Sequence, residues 1–169
     1  MTIQIKLYGD LKTKAKQQGD NEGAPSVLNI DNEGLGTVFD ILKKFDVEET
    51  ELSHIFVNGK YCGPGKEIKN GDQVGLFPRK MGLTFLEIAK NNTINVKVKL
   101  FAELQKYGPV TSEIDLPEGS TIKSVLIKYR IPKEETNLII MVNGMPHQKS
   151  NRVLNDGDIL AIFPIIAGG

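Results

Sequence analysis

The chain has no tryptophan, a single cysteine and only two histidines in 169 residues, and each shortage removes a class of function. With Cys62 alone, no internal disulfide forms and no cysteine cluster is available to hold a metal. His54 and His147 stand far apart without metal-ligand spacing and read as surface or strand residues. Excess charge of one sign is also missing. Lys+Arg and Asp+Glu balance at 21 each, which argues against nucleic acid as the main partner. The densest basic stretch, Lys12, Lys14 and Lys16, is an alternating triplet of the kind a solvated loop carries. No apolar run approaches the roughly 20 residues that cross a bilayer. The amino-terminal Met1-Thr2-Ile3-Gln4-Ile5-Lys6 alternates and does not form a signal-peptide core. The expectation is a cytoplasmic protein with no membrane partner. No catalytic triad, paired carboxylates or phosphate-binding glycine loop is visible, and Gly63-Pro64-Gly65 is a turn that lacks the lysine and helix of a phosphate loop. The chain is read as no catalyst on its own, with no bound cofactor and no metal. Cys62, in the turn-like Lys60-Tyr61-Cys62-Gly63-Pro64-Gly65, is expected at the surface as a bystander thiol, because nothing near it in sequence lowers its pKa.

What the sequence does contain, it contains twice. Ile3, Ile5 and Leu7 alternate with polar residues, as do Val96, Val98 and Leu100; a period of two marks a half-buried strand. Second strands follow at Val27 to Ile30 and Glu113 to Leu116. Thr37 to Phe45 and Thr121 to Tyr129 each place apolar residues three and four apart behind a threonine able to cap, which predicts a short amphipathic helix. Ile55-Phe56-Val57-Asn58-Gly59 matches Ile140-Met141-Val142-Asn143-Gly144, a strand entering an Asn-Gly turn. Asn70-Gly71-Asp72 to Phe77-Pro78 matches Asp156-Gly157-Asp158 to Phe163-Pro164, a tight turn feeding a last strand. A ten-residue helix must bury its apolar side against something, and the sheet made by these strands is the available surface. The predicted fold is α+β: two tandem copies, each a mixed sheet of about four to five strands packed on one helix. The expected domains are 1–80, a linker 81–93, and 94–169. Lys12 to Pro25 reads as a longer polar loop in the first copy. Leu83 to Lys90 reads as one or two helical turns or an apolar connector.

The copies part at their ends. After Phe77-Pro78 the first continues Arg79-Lys80-Met81, whereas the second runs Phe163-Pro164-Ile165-Ile166-Ala167-Gly168-Gly169. Two glycines without Cβ pass through a slot closed to any side chain, and the expected functional group is the carboxylate of Gly169. Unactivated it is inert; adenylated, it becomes an acyl donor.

Copy two resembles the ubiquitin-like β-grasp sulfur carriers of the MoaD/ThiS family. The residues that carry the resemblance are Val98-Lys99-Leu100-Phe101-Ala102-Glu103-Leu104, Leu116-Pro117-Glu118-Gly119-Ser120-Thr121, Val142-Asn143-Gly144, and Asp156-Gly157-Asp158 through Gly168-Gly169. Copy one resembles the same fold without the reactive tail. The resemblance implies that Gly169 is adenylated by an E1-like, ATP-using adenylyltransferase and converted to a thiocarboxylate by a sulfur donor protein. It is then presented to an acceptor such as the large subunit of molybdopterin synthase. Phe101, Met145 and Phe163 would dock, and Pro164, Ile165, Ile166, Ala167 and Gly168 would lead Gly169 into the partner. Phe163-Pro164 is similar to the molybdopterin carriers; Ile166-Ala167-Gly168-Gly169 is equally at home in thiamin carriers. Two further readings stay open: a ubiquitin-like modifier joined to lysines through Gly169, and a tandem interaction module without covalent chemistry.

Overall fold

The computed structural model describes residues 1–15, 24–81, 93–132 and 137–165, and the chain divides into two compact units, Met1–Asn92 and Thr93–Gly169. The first unit contains β1 (Thr2–Leu7), β2 (Ser26–Asp31), α1 (Val38–Lys44), β3 (Leu52–Val57), β4 (Lys60–Cys62) and β5 (Gln73–Pro78). The second contains β6 (Thr93–Leu100), β7 (Thr111–Pro117), α2 (Ile122–Lys128), β8 (Leu138–Val142) and β9 (Ile159–Pro164). Sheet order is β2-β1-β5-β3-β4 in one and β7-β6-β9-β8 in the other. In each unit the first strand is central, antiparallel to its hairpin partner and parallel to the last strand. A parallel neighbour requires a crossover connection, and each helix lies within one. Each unit is a ubiquitin-like β-grasp, one mixed sheet with one helix, so the chain is an α+β tandem.

Strand alternation selects the core. Ile3, Ile5 and Leu7 turn inward onto Val38, Ile41 and Leu42 of α1, and Val96, Val98 and Leu100 turn inward onto Ile122 and Val125 of α2. Burying one such side chain contributes about 1.5–3 kcal/mol. Two separate cores result, one per unit.

The helices start and stop by the same devices. Ahead of α1 the Asp40 carboxylate accepts from the N–H groups of Gly36 and Thr37 at 3.0 and 2.9 Å. Burial pushes the Asp40 carboxyl up, but these hydrogen bonds outweigh it and hold the group below its ordinary value. Ahead of α2 the Ser124 hydroxyl accepts from Thr121 N–H at 3.0 Å, and the Thr121 hydroxyl accepts from Ser124 N–H at 3.3 Å. Such reciprocal capping satisfies donors that a helix start leaves open. Both helices end on a left-handed residue, Asp46 (φ 51°) and Arg130 (φ 56°). Past them, Val47 N–H donates to Leu42 C=O and Ile131 N–H to Leu126 C=O, each at 2.9 Å, the arrangement that closes a helix C-terminus.

Two expectations change. Cys62 is buried, 2% exposed. It lies on β4 opposite Ile55, and alternation after the Asn58-Gly59 turn sends Tyr61 to the outer face of the sheet and Cys62 into the core. The start of the expected polar loop, Lys12 to Lys14, is the end of a 3-10 helix, Gly9–Lys14, that buries Leu11; residues 16–23 lie outside the described ones. The connector Leu83 to Lys90, with nearly all of the linker 81–93, also lies outside them. Among the described residues no helix is long and apolar enough to cross a membrane.

Candidate functional site

The candidate site is the end of β9 and the outer face of the second sheet. Along β9, Leu160 and Ile162 are buried, whereas Ile159, Ala161 and Phe163 alternate onto the other face. The first strand ends beside this one in parallel, so Phe101, just past Leu100, meets Phe163. Their rings stack with centroids 4.0 Å apart and planes 13° off parallel. Pro164 is the last residue of β9, opposite Leu138. Ile165 is 49% exposed, while its N–H donates to the Asn137 carbonyl at 2.7 Å.

The other end of β9 is held by a polar clamp. Asn143 is left-handed (φ 51°) in a tight turn with Gly144 (φ 80°), a conformation in which Asn and Gly serve at least cost. Its side-chain amide donates to Asp158 at 2.8 Å, and its side-chain carbonyl accepts from Ile159 N–H at 2.9 Å. The Asp158 carboxylate also accepts from Asn155 N–H at 2.8 Å. The turn after β8 is thereby tied to the turn before β9, which sets the register of the strand leading to the tail.

Phe101 and Phe163 are thus brought together, and Ile165 follows two residues on. Met145, 63% exposed, is placed elsewhere: its N–H and C=O pair with Val142, at the Ile159 end of the sheet. Four residues of strand, about 13 Å, separate that end from Phe163. Ile166, Ala167, Gly168 and Gly169 lie outside the described residues. Two residues not picked out from sequence complete the apolar outer face, Ile139 opposite Phe163 and Met141 opposite Ala161. Their signal was the continuous apolar run Leu-Ile-Ile-Met-Val of β8, which lacks the polar alternation of a strand with one face in water. On the flank of this strip, Lys97 pairs with Glu113 at 3.4 Å.

The first unit carries the same parts with a different ending. Tyr8 and Phe77 stack at 4.0 Å and 13°, and Asn58 clamps Asp72 and Gln73 N–H at 2.8 and 2.9 Å. Arg79 N–H donates to the Glu51 carbonyl at 2.8 Å, in the role Ile165 plays for Asn137. There the chain turns: Met81 N–H returns to Pro78 C=O, and Lys80 pairs with Asp10 at 3.6 Å. Its outer face is aromatic, with Phe56 edge-on to Phe77 at 5.5 Å and His54 at 5.2 Å from Tyr61. Burial lowers the pKa of His54 and raises that of Tyr61.

Among the described residues no three His, Cys, Asp or Glu side chains group to hold a metal ion. What the described residues form here is an apolar strip, Phe101, Phe163, Ile139 and Met141, that runs to the exposed Ile165.

Residues 98–169 match the ThiS family. No curated protein matches the chain. Among solved structures, the chain is similar to a putative molybdopterin converting factor, subunit 1, from Pyrococcus furiosus, at 29% identity over 42% of this chain and 97% of that one, TM-score 0.36. It is also similar to SAMP1 from Haloferax volcanii, at 25% identity over 44% and 99%, TM-score 0.37. A third is the small archaeal modifier protein 1 from Methanosarcina acetivorans, at 24% identity over 46% and 99%, TM-score 0.36.

Proposed function

Taking residues 98–169 as a ThiS-family unit that closes on Gly168-Gly169, we propose that this protein is a ubiquitin-like sulfur carrier whose reactive group is the carboxylate of Gly169. One juxtaposition supports the reading. The family match runs through Gly169, and the folded body delivers β9 to that tail beside the Phe101–Phe163 stack and exposed Ile165.

The chemistry takes two steps. An E1-like adenylyltransferase joins a Gly169 carboxylate oxygen to the α-phosphorus of ATP, and pyrophosphate leaves. Hydrosulfide, delivered by a sulfur donor protein, then attacks the acyl carbon; the C–S bond forms, AMP departs with the bridging oxygen, and a proton is released. The product is a thiocarboxylate, ionised at neutral pH and a soft nucleophile. The body contributes affinity, because ordering a tail costs binding free energy that a preformed apolar strip offsets. The acceptor we assign is of the molybdopterin synthase large-subunit type, on the Phe163-Pro164 pair that ends β9. The first unit, with Arg79-Lys80-Met81 where the tail would begin, is a docking or stabilising module without the chemistry.

The test is the intact mass of the full chain isolated from its own cytoplasm without thiol-modifying reagents, with the C-terminal peptide fragmented. The expected result is a fraction with sulfur in place of one oxygen on Gly169. A chain with one residue appended after Gly169 should carry none. Conjugates linked through Gly169 without any thiocarboxylate would instead support a modifier, and a plain carboxylate alone would leave an interaction module.

A further inference from the structure

In both units the hairpin partner of the first strand lies at the edge of its sheet, β2 in one and β7 in the other, and among the described residues no strand pairs with its outward side. An open edge presents unpaired N–H and C=O groups to another chain, and charged side chains are a common protection. The ladder decides which residues present them. Asn32 N–H donates to Met1 C=O, in the register that sets Ile30 opposite Ile3 and Leu28 opposite Ile5. Ile30 and Leu28 therefore bond inward to β1, while Val27, Asn29 and Asp31 turn their main-chain groups outward. In the second unit Leu100 N–H donates to Val110 C=O and Ile114 stands opposite Val96, which leaves Thr111, Glu113 and Asp115 outward by the same rule. The two edges correspond position by position, Val27 to Thr111, Asn29 to Glu113 and Asp31 to Asp115. Their middles differ: β7 carries a carboxylate there and β2 a neutral amide, beside a Val27 that is 48% exposed. The difference continues on the inner side. Leu28 and Ile30 are half-buried apolar residues at the margin of the first core, whereas β7 has Ile114 and Ser112, whose hydroxyl shares a hydrogen bond with that of Tyr129 at 2.5 Å.

We infer that β2 is a self-association edge, on which a second copy of this chain pairs its own β2 antiparallel about a two-fold axis at Asn29. A two-fold contact must be self-complementary, and this register is. Val27 stands opposite Asp31 of the second copy, and Asn29 opposite Asn29 of the second copy. Each hydrogen-bonded pair exchanges two bonds, so the outward main-chain groups of Val27, Asn29 and Asp31 all find partners. Between them Leu28 falls opposite Ile30 of the second copy in a closely spaced pair, and each core's half-buried apolar margin covers the other's. No like charges meet. Lys6, opposite Val27 in its own sheet, lies on the same face as Asp31 of the second copy, two strand spacings or about 10 Å away, an attraction that the symmetry repeats. The same operation on β7 fails. Centred on Glu113 it sets two Glu113 carboxylates opposite, and centred on Ile114 it sets Glu113 against Asp115; like charges directly opposite destabilise a strand pair, and Pro117 has no N–H to give. Charge thus opens one edge to a second copy and protects the other. The inference does not rest on the carrier reading. It gives the first unit a role of its own, because a dimer made through β2 carries two second units.

The experiment is sedimentation equilibrium of the full chain at neutral pH over a concentration series reaching the millimolar range. One strand pairing is a small interface, so the native chain should show a reversible monomer–dimer equilibrium. Asn29→Glu sets two carboxylates opposite at the axis and should raise the dissociation constant by about tenfold or more, whereas Asn29→Gln should leave it near the native value. The fold already carries a glutamate at the corresponding Glu113, so this variant tests the contact and not folding. Mild oxidation locates the contact independently. Across the axis the two Cα atoms of residue 29 stand about 5.5 Å apart, within disulfide reach, and Cys62, 2% exposed, does not compete. Asn29→Cys should yield a disulfide-linked dimer, and Thr111→Cys, on the protected edge, should not. A chain that stays monomeric at every concentration overturns the inference. So does a dimer that persists in Asn29→Glu, or an Asn29→Cys chain that crosslinks no faster than Thr111→Cys, since either puts the contact elsewhere.

Discussion

Ala102 follows Phe101 at the position that Gly9 holds after Tyr8, and both are left-handed, φ 52° and 54°. An L-residue with a Cβ loses about 1–2 kcal/mol in that conformation, so Ala102→Gly should stabilise the second unit by about 1 kcal/mol after glycine's greater unfolded-state entropy is subtracted. Slower hydrogen exchange of the β6 and β9 amides would register it. The reverse change fails for a separate reason: a Cβ on Gly9 would stand 2.7 Å from Pro78 Cγ. His54 supplies a pH dependence confined to the first unit. Burial holds its folded pKa below the ordinary 6.5, so between those two values the unfolded chain binds more protons than the folded one. Stability is then full above 6.5 and declines as pH falls from there to the folded pKa. Hydrogen exchange across that interval should show the first unit loosening, and His54→Phe should flatten the response.

The element that decides the site is β9, and its register depends on the clamp between two turns. Asn143→Ala removes both side-chain hydrogen bonds, puts a Cβ-bearing residue without a polar side chain at φ 51°, and takes a donor from Asp158, which is only 7% exposed. A buried acceptor that loses a partner and the lost turn preference together cost about 2 kcal/mol. The urea midpoint of the second unit, followed through its own amides, should fall accordingly, with the first unit unchanged. At the other end of β9 the Phe101–Phe163 stack lies on the outer face, where it does nothing for the helix-side core. The first unit repeats it as Tyr8 on Phe77 with Arg79-Lys80 following, so the stack belongs to the fold common to both units.

At the scale of the molecule, one fold occurs twice with the strand order, caps, clamp and ring stack repeated, yet the exposed apolar surface is unequal. Among the described residues, Val110, Met145, Val153, Ile159 and Ile165 are large exposed hydrophobics of the second unit, against Met1 and Val27 in the first. The first unit covers its outer face with mutually packed rings and directs the segment after Pro78 back onto its own body through Lys80 and Met81. The second leaves an apolar strip open up to Ile165. The scaffold is kept in both units, and the open apolar strip, with the tail proposed to be modified, stands in one.

The sequence by itself determined the periodicities: alternation in Ile3-Ile5-Leu7 and Val96-Val98-Leu100, helical spacing after Thr37 and Thr121, and Asn-Gly turns whose backbone few other residues tolerate. These are local consequences of side-chain geometry, legible without neighbours, and together with the repeat they imply both sheets and both helices. The chemistry proposed for Gly168-Gly169 rests on sequence for the same reason, since the group it invokes lies in the main chain. Tertiary structure decided which residues share a face. Cys62 went inward because β4 pairs with β3 opposite Ile55. Met145 parted from Phe101 and Phe163 because the antiparallel pairing of β8 with β9 sends the turn to the far end of the strand. Ile139 and Met141 joined the strip by register across two strands, and the Ile165 anchor exists only where the Asn137 carbonyl meets it. Contacts of that kind depend on strand order, which no local pattern encodes.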